Sequence, residues 1–244
     1  MAGTILEARA QLEAAVSAGL RIGYRWRGPE TDEPVRRSSV LILFGALDAV
    51  PATAPECSVP RELDVLLTRR SDTMRHHPGQ IAFPGGGSED GDADEAATAL
   101  REAAEETGLD PGGVDVIGAL EPVHIPVSNN LVTPIVGWWR SPSEVAADDS
   151  ESVQVFRVPV AELLDPAARG VSVLELGTRT FRGEAFELGP RFGGHLVWGF
   201  TGILLSSVFE GLGWDEPWDR ERSFELASNP RNGVIDSVRR ISEG

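Results

Sequence analysis

The sequence has little sulfur and no long apolar run. Cys57 is its only cysteine, so the chain cannot form an internal disulfide, as is typical of proteins in a reducing cytoplasm. The most apolar late segment, residues 197–209, is shorter than the roughly 20 residues that a membrane-spanning helix needs. Glu7 and Glu13 interrupt the apolar residues near the start, so no signal peptide is predicted. We therefore expect a cytoplasmic protein without a membrane segment.

Positive charge is also scarce. The chain carries 22 lysines and arginines against 38 aspartates and glutamates, which gives a formal net charge of −16. Such a surface repels nucleic acids, anionic membranes and phosphorylated ligands alike. We therefore expect neither a nucleic-acid partner nor a membrane partner. A polyanionic small molecule could bind only where arginines or metal ions offset this charge locally.

Apolar patterns predict strands mixed with helices, without an internal repeat. An amphipathic helix is predicted over 4–19 and a long buried helix over 195–213. Residues 171–177 and 179–189 have the pattern of a β-hairpin. Strands mixed with helices and hairpins favour an α+β fold, or a mixed-sheet sandwich, over a doubly wound parallel sheet.

The same patterns divide the chain into three predicted parts. An N-terminal helix and basic segment occupies 1–37, and the main domain, 38–212, begins with strands at 38–47 and 63–70. A polar C-terminal tail, 213–244, is expected to be partly disordered.

Residues 79–110, GQIAFPGGGSEDGDADEAATALREAAEETGLD, join a glycine-rich loop to a short acidic helix. Asp92 and Glu95 have the spacing of a capping box. This spacing predicts that the helix begins near Ala93 and that Asp92 caps it.

Three glutamates of this helix fall close together. At 100° per residue, Glu102, Glu105 and Glu106 lie within an arc of roughly 100°. The predicted apolar side, opposite to them, consists of Ala96, Leu100, Ala103 and Ala104.

This acidic arc has two interpretations. It could be a solvated face, although no Lys or Arg follows the glutamates at the helical spacing that forms salt bridges. It could instead hold hard divalent cations, which prefer oxygen ligands and bridge phosphates. Such ions polarise phosphoryl oxygens and activate water. The preceding glycines would let backbone carbonyls approach an ion closely.

The segment REAAEETGL, 101–109, resembles the second half of the Nudix box, which runs Arg-Glu-aliphatic-any-Glu-Glu-any-Gly-aliphatic. The first half departs from the common form of the box. Counted from Gly86, the sixth residue is Asp92 rather than Glu, and Arg101 is fifteenth rather than fourteenth. The connection from loop to helix is thus one residue longer.

A second motif lies upstream. Residues 66–86, LLTRRSDTMRHHPGQIAFPGG, resemble the additional signature of the coenzyme A pyrophosphatase branch of that superfamily. The matching positions are Leu66, Leu67, Thr68, Arg70, Ser71, Arg75, Gly79, Phe83, Pro84, Gly85 and Gly86. The resemblance, with weaker echoes downstream, covers roughly residues 38–210. It implies a Nudix fold, in which a loop-helix-loop box lies against a mixed-sheet sandwich between helices.

The resemblance also implies roles for the box. Glu102, Glu105 and Glu106 would ligate Mg²⁺ or Mn²⁺, and a backbone carbonyl near Gly86 would complete the metal site. Together with Arg101 they form the predicted catalytic set. Arg101 would orient the glutamates, with direct contact to substrate as the alternative.

Substrate binding is predicted at Arg70, Arg75, Phe83 and Gly85. Guanidinium groups pair well with phosphate oxygens, and plain surface charge is the alternative for the arginines. The adjacent His76 and His77 lack the further ligands that a zinc site needs.

The general base stays open between Glu102, Glu121 and Glu151. Glu121 and Glu151 follow the box, where many Nudix enzymes place such a glutamate. A role as surface carboxylate is the alternative for both.

The implied activity is hydrolysis of the pyrophosphate of coenzyme A or acyl-coenzyme A to 3′,5′-ADP and 4′-phosphopantetheine or its acyl form. One alternative is a Nudix hydrolase of ADP-ribose, NADH or a nucleoside triphosphate. Another is a non-catalytic Nudix-like module that binds a nucleotide. The preferred acyl group, the choice between Mg²⁺ and Mn²⁺ and the formation of a homodimer stay open.

Overall fold

The computed structural model describes residues 3–23, 34–46, 51–53, 58–72, 78–147, 152–176, 178–228 and 235–241. The helices there are α1 (Ile5–Ser17), α2 (Glu95–Thr107), α3 (Val160–Leu164) and α4 (Gly199–Leu212). The strands of the first half are β1 (Arg36–Gly45), β2 (Asp64–Arg70), β3 (Ile81–Ala82), β4 (Gly85–Gly87), β5 (Val114–Ala119), β6 (Val123–Ile125) and β7 (Asn130–Trp139). Those of the second half are β8 (Ser152–Pro159), β9 (Arg169–Leu176), β10 (Arg179–Glu187), β11 (Leu196–Val197), β12 (Ser223–Ser228) and β13 (Ile235–Ile241).

The first sheet is mixed. Its strands run in the order β3-β2-β1-β7-β5, with β4 paired to β1, β6 to β7 and β8 to β2. Strands β1 and β7 are parallel, whereas β1 and β4 are antiparallel. The centre of β1 is a continuous apolar run because both of its faces are covered. Leu41 and Leu43 pack towards α2, while Ile42 and Phe44 belong to the larger core on the other face.

The second sheet has the order β11-β10-β9-β12-β13. The predicted hairpin is confirmed, since β9 and β10 pair antiparallel along their whole length. The part of the predicted tail, 213–244, that the structure describes contains two strands. There β12 pairs in parallel with β9, and β13 continues the sheet beyond β12.

Two of the predicted helices are confirmed with shifted ends. Helix α1 begins after Thr4, whose side chain forms a capping box with Glu7, and it buries Ala8 and Leu12. Helix α4 begins only at Gly199, because residues 196–197 pair with β10 as a short strand. Across the part of the chain that the structure describes, no helix combines the length and apolar character needed to cross a bilayer.

Mixed sheets with helices packed on them confirm the α+β class. A large core fills the space between the first sheet, α1 and α4, and a smaller one lies between that sheet and α2. Helix α2 is therefore held against β1 by apolar contacts, and it also lies against β4. These contacts fix the acidic residues of α2 relative to the glycine strand β4.

Candidate active site

Helix α2 begins later than the sequence predicts. Its N-cap is Asp94, which is extended and accepts a hydrogen bond from the Ala97 amide at 2.8 Å. The prediction that Asp92 caps the helix is wrong, because the Asp92 carboxylate accepts from Arg101 and Thr98 instead. The helix ends at Gly108, whose left-handed φ of 69° is most readily adopted by glycine.

The three glutamates differ sharply in exposure. The side chain of Glu105 is 60% exposed, that of Glu102 14% and that of Glu106 4%. Glu106 lies one turn after Ala103 and is buried beside it, so it does not lie opposite the apolar side as predicted. A solvated helix face therefore describes Glu105 but not the other two.

The glycine strand β4 lies directly under the buried carboxylate of Glu106 and the partly buried carboxylate of Glu102. The Gly85 amide is 3.3 Å from Glu106 Oε2 and donates to it. A Cβ at position 86 would meet the carboxylate carbon of Glu102 at 2.5 Å. Only glycine therefore leaves room for the Glu102 carboxylate against the backbone of β4.

Arg101 connects the start of the box to its helix. Its guanidinium donates to Asp92 at 3.0 Å, to Glu102 at 3.0 Å, to Glu105 at 3.1 Å and to the Gly87 carbonyl at 2.8 Å. Arg101 holds the pKa of Asp92 well below its ordinary value, and Asp92 raises the pKa of Arg101 in return. These contacts are those of a residue that orients the box.

The aspartate that replaces glutamate in the longer connection thus anchors Arg101. The sequence offered two aspartates, 92 and 94, that satisfy the preference for an N-cap. It contains no signal that assigns one to the helix and the other to the arginine.

The predicted substrate residues are placed unequally. Arg70, at the end of β2, has its Nη1 3.9 Å from Glu106 Oε1. Its neighbour Arg69 points to the other face of the sheet and forms a salt bridge with Asp72 at 2.7 Å. Phe83 is 3% exposed, and its side chain packs in the large core.

Other predicted residues stay untested. Arg75, His76, His77 and Glu151 lie outside the described residues. Glu121 is exposed in the connection between β5 and β6.

The donor set suits a hard divalent cation. Among the described residues, no three His, Cys, Asp or Glu side chains converge as a ready metal site. Arg101 donates to Glu102 and Glu105, so their carboxylates are directed towards its guanidinium. The oxygens of Glu102 and Glu106 nevertheless share the surface of β4, and carboxylate with carbonyl oxygen is the chemistry that Mg²⁺ and Mn²⁺ favour.

Comparisons with known proteins point to one family. A model described as the NUDIX domain matches residues 57–174. An uncharacterized Nudix hydrolase NudL of Photorhabdus laumondii is 36% identical over 144 residues, which are 59% of this chain and 74% of the relative. Proteins described in the same words are 48% identical over 42% of this chain in Cronobacter sakazakii and 46% identical over 41% in Escherichia coli K12. These two matches span only about half of the relatives, 53% and 52%.

Solved structures show weaker likeness. A Nudix hydrolase from M. smegmatis, RenU, has 21% identity and a TM-score of 0.40 over 54% of this chain and 74% of its own. The NUDIX domain of Shewanella oneidensis NrtR, in complex with ADP ribose, has 19% identity and a TM-score of 0.40 over 57% of this chain and 81% of its own. Likeness of this size adds nothing to the assignment, which depends on the sequence relatives. By the extent of the Photorhabdus match and the NUDIX model, this chain belongs to the Nudix hydrolase family.

Proposed function

We propose that the protein is a divalent-metal-dependent pyrophosphohydrolase that cleaves coenzyme A or acyl-coenzyme A into 3′,5′-ADP and 4′-phosphopantetheine or its acyl form. One observation carries the proposal. Arg70, from the upstream signature, has its Nη1 3.9 Å from Glu106 Oε1 of the box. The motif expected to contact phosphates and the motif expected to hold the metal therefore meet at one place.

Glu102, Glu105 and Glu106 would hold the ion, together with a backbone carbonyl near Gly86. A bound Mg²⁺ or Mn²⁺ supplies Lewis acidity, which polarises a phosphoryl oxygen and makes a water more acidic. Burial of Glu106 strengthens its field on a bound cation, because little water screens it. Arg101 holds Glu102 and Glu105 side by side.

The reaction then needs few protein groups. The oxygen of a water adds to one phosphorus, the P–O bond of the anhydride breaks, and the other phosphate leaves. A carboxylate takes the proton of the water, and Glu102, Glu121 and Glu151 stay the candidates for it. Arg70 would pair with phosphate oxygens and offset the negative charge of a substrate in a chain of net charge −16.

The test is a substrate panel. The protein is incubated with Mg²⁺ and coenzyme A, an acyl-coenzyme A, ADP-ribose, NADH or nucleoside triphosphates, and the products are identified by mass. We expect 3′,5′-ADP with 4′-phosphopantetheine or its acyl form. Cleavage of ADP-ribose, NADH or the triphosphates alone would replace the coenzyme A assignment. Cleavage of none would favour a nucleotide-binding module.

A further inference from the structure

The hydroxyl of Ser39 is a buried polar group in strand β1. Ser39 is 0% exposed in the centre of β1, and its Oγ has no hydrogen-bond partner among the described residues. By contrast, the buried Ser172 donates to the Gly183 carbonyl at 2.9 Å. Leaving a buried hydroxyl unpaired destabilises the fold, so such a group in a native protein calls for an explanation.

The register of the sheet places Ser39 beside Glu102. Ser39 is the antiparallel partner of Gly86 in β4 and the parallel partner of Thr133 in β7. Directly opposed residues on antiparallel strands share a face, with Cβ atoms about 4.5–5.5 Å apart. The Cβ direction of Gly86 leads straight to the Glu102 carboxylate. The Ser39 side chain therefore lies on the same face, in the adjacent position.

A cation at the box creates a need for such a neutral donor. Glu102 accepts from Arg101 at 3.0 Å, and the same Arg101 nitrogen also donates to Glu105 at 3.1 Å. A metal ion among these carboxylates repels the guanidinium and competes with it for their oxygens. A hydroxyl can hold a ligating carboxylate without repelling the cation, which is how groups behind metal ligands commonly act.

We infer that Ser39 is a positioning residue for the metal site, whose Oγ donates a hydrogen bond to the Glu102 carboxylate when a divalent cation is bound. This inference rests on the proposed function, because it assumes that Glu102 ligates the ion. The unpaired hydroxyl then reflects a contact that the metal-loaded protein completes. Its removal should weaken cation binding without weakening the fold.

The test uses Mn²⁺ binding, measured by electron paramagnetic resonance on the full chain, together with the melting temperature. Ser39→Ala should bind Mn²⁺ about tenfold more weakly, with an unchanged or higher melting temperature. Ser39→Thr, which keeps a hydroxyl, should recover part of the affinity. Thr133→Val, isosteric and on the far side of Ser39 from Gly86, should bind Mn²⁺ like the parent. Ser172→Ala should melt at a lower temperature and bind Mn²⁺ like the parent.

A double-mutant cycle then tests whether Ser39 acts through Glu102. In the Glu102→Gln background, Ser39→Ala should weaken Mn²⁺ binding by less than twofold. If Ser39→Ala weakens Mn²⁺ binding as much in the Glu102→Gln background as in the parent, the role of Ser39 is overturned and the metal site stays intact. The same follows if Ser39→Ala alone binds Mn²⁺ like the parent. A parent protein that does not bind Mn²⁺ would overturn the proposed function itself.

Discussion

Two clusters of charged side chains in this protein are built in opposite ways. In the second sheet, Arg169 is fully buried between two aromatic rings. Its Cζ lies 4.9 Å from the ring centroid of Phe186 and 4.8 Å from that of Trp218. Its guanidinium pairs with one carboxylate, that of Asp215. Ser206 accepts a further hydrogen bond from its guanidinium at 3.0 Å. One cation thus meets one anion, and aromatic faces complete its surroundings.

At helix α2 the charges do not balance. Arg101 contacts the carboxylates of Asp92, Glu102 and Glu105, and Arg70 lies near Glu106. Arg101 Nη1 also lies 3.9 Å from Glu89 Oε1, so two cations face five carboxylates. The balanced cluster needs no further charge, whereas the unbalanced cluster has the surplus of carboxylates that the proposed divalent-cation site requires. The surplus of negative charge, rather than burial alone, therefore distinguishes the cluster that we propose as the metal site.

The largest expected effect is on the unbalanced side. Glu106→Gln keeps an oxygen that can accept from the Gly85 amide, so the fold should survive. The amide lacks the charge that holds a divalent ion, and kcat with coenzyme A should fall by about three orders of magnitude or more. Steady-state kinetics with a parallel melting curve checks this. If the variant turns over coenzyme A like the parent, Glu106 of α2 takes no part in the reaction.

The balanced cluster should respond in stability instead. Arg169→Ala leaves a gap between two rings and unpairs Asp215, and the free energy of unfolding should fall by about 3 kcal/mol. Urea unfolding measures it. Arg220→Ala is the matched control, because Arg220 stacks on the same Trp218 ring and pairs with Glu184 but is 60% exposed. The free energy of unfolding of Arg220→Ala should fall by less than about 1 kcal/mol.

Two outcomes for Arg169→Ala would contradict this contrast between the clusters. If Arg169→Ala unfolds at the same urea concentration as the parent, the cluster in the second sheet is not what stabilises the packing there. If it abolishes Mn²⁺ binding while the protein stays folded, the two clusters are not independent.

A smaller effect is expected at Arg70. Losing one charge-assisted contact to a phosphate should lower kcat/KM by roughly ten- to a hundredfold, which is about 1.5–3 kcal/mol. Arg69→Ala is the matched control, because Arg69 is adjacent in the chain but faces the other side of the sheet with Asp72. Equal losses in both variants would assign the effect to the net charge of the region rather than to Arg70.

The smallest effect concerns Asp92, and it depends on pH. Arg101 lowers the folded-state pKa of Asp92 below its ordinary value of 3.8. The stabilisation is therefore complete above pH 3.8 and disappears only as the pH falls further, through the lowered pKa. Asp92→Asn should be less stable than the parent at pH 7 by an amount that persists to about pH 4 and shrinks below it.

Thermal unfolding at pH 7, 5, 4 and 3 checks this prediction. Asp94→Asn serves as control, because asparagine caps helices as well as aspartate does. A difference between Asp92→Asn and the parent that already vanishes between pH 7 and 5 would mean that Arg101 does not stabilise the carboxylate.

The sequence predicted the parts of the site that depend on local spacing. The run from Arg101 to Leu109 placed the glutamates on one helix, and the glycines before it were expected to lie close to them. The periodicity of the sequence could not show that Glu106 is buried. A glutamate is assigned to the polar face of a helix by its residue type, even when it lies one turn from a buried alanine such as Ala103. The burial follows from β1 and β4, which cover that edge of α2.

Long-range pairing was beyond the sequence in the same way. The tail from 213 is polar. No local pattern in it predicts that β12 pairs with β9, which lies about fifty residues earlier in the chain. Asp92 and Asp94 are equally good caps in isolation, and only the position of Arg101 separates their roles. Ser39 carried no signal at all, since a serine within an apolar strand is ordinary.

The central claim is that the surplus carboxylates of α2 bind a divalent cation. Titration of Mn²⁺ into the parent and into Glu106→Gln, followed by electron paramagnetic resonance, tests it without a substrate. The parent should bind Mn²⁺, and Glu106→Gln, with a parent-like melting temperature, should bind it at least about tenfold more weakly. Equal binding by the two proteins, or none by the parent, would contradict the account.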